Sequence, residues 1–331
     1  MLNPDQKLNP NLFDLAVEQR TTREGFGEAL VELAEKDSRI VALSADLRDS
    51  TRLDLFAKRF PERLFEVGVA EQNLAGVASG LAAMGKIPFL ATYAVFSPGR
   101  NWEQIRTTIC YNNVPVKLVG AHSGLETGPD GGSHEALEDI ALTRVLPRMT
   151  VVVVADYEEA KKATHVLASL SGPTYLRLVR DKVPMLTSPE SPFILGQANI
   201  LWRGENPVVT IVACGSLVYH SLLVAKKLAK EGINVLVVNN HTIKPLDTKT
   251  IGDLARETGA VVTVEDHQQA GGLGGAVAEF LVQHQAVPME LVGVKDCFGQ
   301  TGTPAELIEH YDLGVEAIMT AVKKVLERKN N

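Results

Sequence analysis

Cysteine is scarce in this chain, and its spacing excludes a disulfide framework. Cys110, Cys214 and Cys297 are far apart, odd in number and free of any CxxC pairing, which predicts reduced, mostly buried thiols. Long hydrophobic runs are missing as well: nowhere do about 18 apolar residues follow one another, so no conventional membrane span is expected. The N-terminal stretch MLNPDQKLNPNLFDLAVEQR is polar and lacks the apolar centre of a secretory signal. Positive charge is not in excess. With 33 Lys and Arg against 40 Asp and Glu, the net charge of −7 offers no basic footprint for nucleic acid or an anionic membrane. The expected location is the cytoplasm. What is there, 45% hydrophobic and 22% charged residues, is the make-up of a globular protein, and 331 residues suffice for two domains with a core each.

Apolar strand-like runs alternate with helix-period stretches, which predicts an α/β protein of two domains in series, each a mainly parallel sheet flanked by helices. In the first half, strands are expected at Ile40–Ser44, Pro88–Thr92, Val116–Gly120 and Thr150–Val154. Helices are expected at Arg23–Lys36, Glu71–Met84, Asn101–Tyr111, Ala136–Leu142 and Glu158–Leu170. The composition changes at Lys182–Ala198, where Pro184, Pro189 and Pro192 mark an interdomain connection. The pattern then restarts with strands at Val208–Ala213, Asn234–Val238 and Ala260–Val264. Helices follow at Leu217–Lys230, with Gly232 as a stop, and at Lys249–Thr258, Leu273–His284 and Val315–Glu327. The resulting division is an N-terminal extension over 1–20, a first domain over 21–183, a linker over 184–200 and a second domain over 201–331.

Residues with chemical potential gather in the first domain, just after its strands. In Glu66-Val67-Gly68-Val69-Ala70-Glu71-Gln72-Asn73-Leu74-Ala75-Gly76 a short strand ends in a Gly turn, and Glu71 opens a small-residue helix. A Glu at that place commonly serves the helix macrodipole, whereas one desolvated against an apolar wall can share a proton with a ring nitrogen. Tyr93 and Phe96 follow a strand that ends at the carboxyl edge of the sheet, where they suit either stacking on a heteroaromatic ring or core packing. The stretch His122–His134 holds Asp130, four glycines and a histidine at each end, and reads as a flexible binding loop. Its histidines are twelve apart, which suits hydrogen bonds to hydroxyls or an anion better than zinc. Arg180, beyond the strand Thr174–Val179, is a candidate phosphate partner, and Asp46, Arg48 and Ser50 leave the first strand toward the same edge. In the second half, Gly271-Gly272-Leu273-Gly274-Gly275 lacks the third Gly of a dinucleotide fingerprint and is expected to serve close packing at a helix start.

Taken in order, Ser44-Ala45-Asp46-Leu47, Gly68-Val69-Ala70-Glu71 and the loop from His122 through Asp130-Gly131-Gly132-Ser133-His134 resemble the pyrimidine-binding and C-terminal domains of transketolase, over nearly the whole chain from Arg23 onward. The resemblance implies the thiamine-diphosphate-binding fold. It makes Glu71 the glutamate that hydrogen-bonds the aminopyrimidine, Phe96 the aromatic stacked on that ring with Tyr93 beside it, and Asp46 a cofactor-proximal aspartate. It makes Arg23, Ser50, His122 and Arg180 the sugar-phosphate clamp, Asp130 the reader of a substrate hydroxyl, and His134 a further substrate contact, catalytic together with Glu71. The implied reaction moves a two-carbon ketol unit from a ketose phosphate to an aldose phosphate, as in the pentose phosphate pathway, with thiamine diphosphate supplying the carbanion chemistry.

The family holds Mg²⁺ and the diphosphate with a Gly-Asp-Gly motif. None occurs here; Gly252-Asp253-Leu254 lacks the second Gly. The resemblance therefore implies a separate N-terminal transketolase subunit that carries this motif and binds Mg²⁺, no metal ligands on this chain, and an α2β2 assembly in which this chain forms a homodimer through its first domain. Two departures stand out: Ser97-Pro98-Gly99 replaces another aromatic, and Ser123 replaces a common Asp. Other readings within thiamine chemistry are 1-deoxyxylulose-5-phosphate synthase, normally fused to its diphosphate domain, and the β subunit of a 2-oxoacid dehydrogenase, in which His122, Asp130, His134 and Arg180 have no obvious job. A non-catalytic scaffold is the reading of a different class, and the intact Glu71, Phe96, Asp130 and His134 set argues against such decay.

Overall fold

The computed structural model describes residues 1–330; residue 331, at the expected end of the second domain, lies outside the described residues. The first sheet has seven strands, in the order 242–244, 150–153, 174–177, 117–121, 87–93, 40–44 and 64–66. All are parallel except Thr242–Lys244, which runs antiparallel to Thr150–Val153. Ile40–Ser44 and Lys117–Ala121 are buried along their whole length, as expected of parallel strands covered on both faces. The second sheet has five strands, in the order 289–294, 261–268, 209–213, 235–239 and 199–203, with only the last antiparallel.

Local chemistry sets the element ends. Thr21 and Glu24 form a capping box that opens the helix Thr22–Lys36, and Gly25 in its first turn lets it press on the helix Tyr157–Ala168. A Cβ at Gly25 would lie 2.2 Å from the Tyr157 carbonyl oxygen. The helix expected at Ala136–Leu142 starts later, at Asp139, and runs to Arg144. Carbonyls that a helix would need are already used there: Ala136 O accepts from Gly124 N and Arg177 Nη2, and Leu137 O accepts from Gln268 N. The helix expected at Asn101–Tyr111 begins as one α-turn, Trp102–Gln104, and widens to a π-helix over Ile105–Tyr111.

The two domains are more interlocked than a serial reading suggests. Thr242–Lys244, from the second half of the chain, closes one edge of the first sheet. One apolar cluster joins Val41, Leu43, Leu90 and Val151 to Ile251, Leu273 and Val277 across the boundary. The proline-bearing connection is no free tether. Lys182–Pro184 pairs with Gln19–Thr21, and Asp156 accepts from the backbone N–H of Leu186 at 2.9 Å and of Thr187 at 2.6 Å. The N-terminal segment lies along the second domain: Leu12 is fully buried in its core, and Asn3 N donates to Leu201 O.

Candidate active site

The sequence-expected residues converge on the carboxyl edge of the first sheet, where an open α/β sheet leaves a crevice. Strand 40–44 ends in the loop with Asp46 and Ser50, strand 87–93 delivers Tyr93 and then Phe96, strand 117–121 delivers His122, and strand 174–177 leads to Arg180. Glu71 comes from the turn after strand 64–66 and is the first residue of the helix Glu71–Ala83.

Glu71 is 3% exposed, but an apolar wall is not what meets it. Arg100 Nη1 donates to Glu71 Oε1 at 2.9 Å, and the same guanidinium lies 4.0 Å above the centroid of the Phe96 ring. Asn101 Nδ2 holds the Glu71 carbonyl at 3.0 Å. An aromatic stack runs from there across the edge. Phe96 stacks on Tyr93 with centroids 5.7 Å apart, Tyr93 stacks on His122 at 3.7 Å, and His134 meets Phe96 edge-on at 5.5 Å.

Beyond the stack lies a cationic corner. The Arg23 guanidinium donates to the carbonyls of Ser50, at 2.5 Å, and of Arg180. Burial, with the Arg52 and Arg180 guanidiniums near by, brings its pKa down to about 10. Arg180 Nε is 3.8 Å from Asp130 Oδ2. Burial and the charges of Arg23 and Arg180 bring His122 down to about 2, so its ring is neutral, and its buried Nδ1 has no partner. A neutral imidazole between two guanidiniums can accept or donate one hydrogen bond, while the guanidiniums carry the positive charge.

Asp46 sits at φ 61° in an open cavity of about 400 Å³ lined also by Ser50 and Glu66. Glu66 Oε1 accepts from the N–H of Asp46 at 2.7 Å and of Gly68 at 3.1 Å, tying the Asp46 loop to the turn before Glu71. Sequence reasoning passed over Glu66, which gives no signal except its place at the end of a short strand. It also passed over Arg100, which stands four residues after Phe96 in one turn and could have been found by that spacing.

The stretch expected to be a flexible loop is instead packed between the domains. Residues 121–128 are buried, Leu125–Asp130 form a 3₁₀ turn, and Thr127 Oγ1 donates to His122 O at 2.8 Å. Ser123, in place of the family's common Asp, gives its hydroxyl to Leu178 O and stays out of the site. The Gly271–Gly275 segment serves close packing: Glu265 accepts from Leu273 N and Gly274 N, both at 2.7 Å, and a Cβ at Gly272 would strike Glu265 Oε2. Among the described residues, no group of three or more His, Cys, Asp or Glu is placed to hold a metal ion.

With the geometry in place, the comparisons with known proteins give it a class. The pyrimidine-binding domain of transketolase matches residues 18–185, and the transketolase C-terminal domain matches residues 196–318. The chain belongs to the transketolase family. It is 40% identical over 318 residues to the 6-deoxy-6-sulfo-D-fructose transketolase subunit SqwH of Clostridium sp. (strain MSTE9), covering 96% of this chain and 98% of that one. It is 37% identical over 297 residues to an apulose-4-phosphate transketolase subunit of Phocaeicola vulgatus, covering 89% and 94%. Among solved structures, a split-gene transketolase described as an inactive β4 tetramer superposes with a TM-score of 0.87 at 47% identity, covering 93% of this chain and 99% of that one.

Proposed function

We propose that this chain is the C-terminal subunit of a split transketolase, transferring a two-carbon ketol unit from a ketose phosphate to an aldose phosphate. One observation carries the reading: a buried carboxylate, an aromatic stack and a cationic corner follow one another along a single sheet edge. That donor set fits the aminopyrimidine half of thiamine diphosphate beside a sugar with a terminal anion. Glu71 would hold the ring nitrogen, Phe96 with Tyr93 the ring face, and Asp46 the cofactor's flank. Thiamine diphosphate, when bound, supplies the carbanion chemistry that breaks the C2–C3 bond of the ketose.

The chain's own residues bind and orient. Arg23, oriented by the Ser50 carbonyl it bonds, and Arg180, with the neutral ring of His122, suit a phosphate or sulfonate, the latter being the end group named for the clostridial relative's sugar. Asp130, near Arg180, and His134, against Phe96, would bind sugar hydroxyls in this reading. The donor set here does not fit Mg²⁺, which falls in this reading to a partner subunit with Gly-Asp-Gly, in an α2β2 assembly. The two functional domains run over 21–183 and 201–331, joined over 184–200.

The test is ketol transfer from xylulose 5-phosphate to ribose 5-phosphate, by this chain alone and with a Gly-Asp-Gly subunit, Mg²⁺ and thiamine diphosphate. Activity is expected only in the mixture, and Glu71→Gln should abolish it while the complex still assembles. An intact, cofactor-loaded complex without ketol transfer would refute the assignment.

A further inference from the structure

The glycines of the 122–134 stretch answer to the second domain. Gly124 has φ +68°, and a Cβ there would lie 1.8 Å from Asp266 Oδ2. A Cβ at Gly131 would meet Thr301 Oγ1 at 2.5 Å, and one at Gly132 would meet Gly299 O at 2.3 Å. The stretch that carries His122, Asp130 and His134 is thus moulded against residues more than a hundred positions away.

Asp266 is the centre of this contact. It is 4% exposed, on strand 261–268, and its Oδ1 accepts from Leu125 N at 3.0 Å. Its backbone is fixed in turn by the first domain. Arg177 Nη2 donates to Asp266 O at 2.8 Å and to Ala136 O at 3.1 Å, while Arg177 Nε donates to Asp139 Oδ2 at 2.9 Å. Asp139 also accepts from Tyr175 Oη at 2.7 Å. One guanidinium therefore binds both the Asp266 backbone and Ala136, just past the end of the moulded stretch. A side chain held at both ends in this way transmits its position rather than absorbing error.

We propose that Asp266 is a positioning residue for the sugar-phosphate site: it sets the place of His122, Asp130 and His134 by holding Leu125 and filling the space beside Gly124. This rests on the functional reading above and gives the second domain a part in substrate recognition. Asp266 touches no reacting atom. The charges around it come from Arg177, Asp139 and Glu135 of the first domain and from Glu126 in the stretch itself.

The test uses the complex with the Gly-Asp-Gly subunit, with xylulose 5-phosphate varied and thiamine diphosphate binding measured by calorimetry. Asp266→Ala should raise KM for the ketose phosphate on the order of tenfold, because ångström-scale misplacement of binding groups is costly, and leave cofactor affinity within about twofold. Asp266→Asn, which keeps an acceptor for Leu125 N, should recover most of the loss. Asp266→Glu keeps the charge but adds a methylene toward Gly124, and it too should raise KM. It decides the matter alone if the Ala variant does not fold. Unchanged KM in the variants that fold, whatever their melting temperatures, would reduce Asp266 to fold glue and overturn the proposal. Wild-type activity and an inactive Glu71→Gln control in the same assay would show that the functional reading survives such a result; an inactive wild type would sink both.

Discussion

Arg100 joins two residues that sequence reasoning treated separately. Its guanidinium bonds Glu71 and covers Phe96, and it is 49% exposed while Glu71 is 3% exposed. Removing one partner of a buried pair leaves an uncompensated charge, which costs about 3–5 kcal/mol when both are buried. Because Arg100 is half in solvent, Arg100→Met is expected to lose only about 1–2 kcal/mol of unfolding free energy. Adding Glu71→Gln should restore most of it. Urea titration of the two singles and the double closes this cycle; additive losses would mean that the pair contributes nothing. At the same scale, His122 shows what a sequence withholds. Its place in the motif was plain, whereas its neutrality comes from burial and from Arg23 and Arg180, which are remote in sequence.

The helix Glu71–Ala83 buries Leu74, Ala75 and Ala78 and turns Gly76 and Gly80 away, where an added Cβ would meet nothing within 4 Å. A face of small residues lets two backbones come close, so this helix is the natural seat for the homodimer in the proposed assembly. Gly76→Arg should leave the monomer fold and its melting temperature nearly unchanged and shift the assembly to a smaller species in light scattering. A dimer that persists would place the interface elsewhere. Elements of this kind were legible: Ile40–Ser44, Leu217–Lys230 and Leu273–His284 fall where periodicity predicts them. Leu53–Arg59, Thr242–Lys244 and Pro304–His310 were not foreseen, being too short to show a period. The late start of Asp139–Arg144 has another cause, because distant partners claim its carbonyls.

Across the whole molecule, a group of buried acidic residues, Glu126, Glu135, Asp139, Glu265 and Asp266, lies where the domains meet. Burial, then the nearby Asp266, pushes the Glu126 carboxyl up to about 8. In the unfolded chain such a group titrates near about 4.3. Between these values the folded state holds a proton that the unfolded state has released, so stability falls as pH rises, by up to about 1.4 kcal/mol per pH unit for one group. Glu126 therefore contributes a fall in melting temperature between pH 5 and pH 8, in the same direction as Glu135, Glu159 and Glu265 and against the buried histidines. Glu126→Gln, which cannot titrate, should show less loss with rising pH than the wild type. An equally steep profile in the variant would assign the slope to other groups. The order of two α/β domains was legible in the sequence, as was the gathering of candidate residues after the strands of the first, but not this junction, because nothing local marks Asp266, Arg177 and Glu126 as neighbours.

Thr242–Lys244 also constrains the order in which the molecule can be made. Synthesis runs from the N-terminus, and strand 150–153 gains its outer neighbour only when residues 242–244 have emerged, after three strands of the second sheet. Until then the nascent first domain presents an unpaired strand edge, the feature that invites association between chains. The last strand of the first domain to arrive comes from inside the second, so neither domain is finished before the other is well under way.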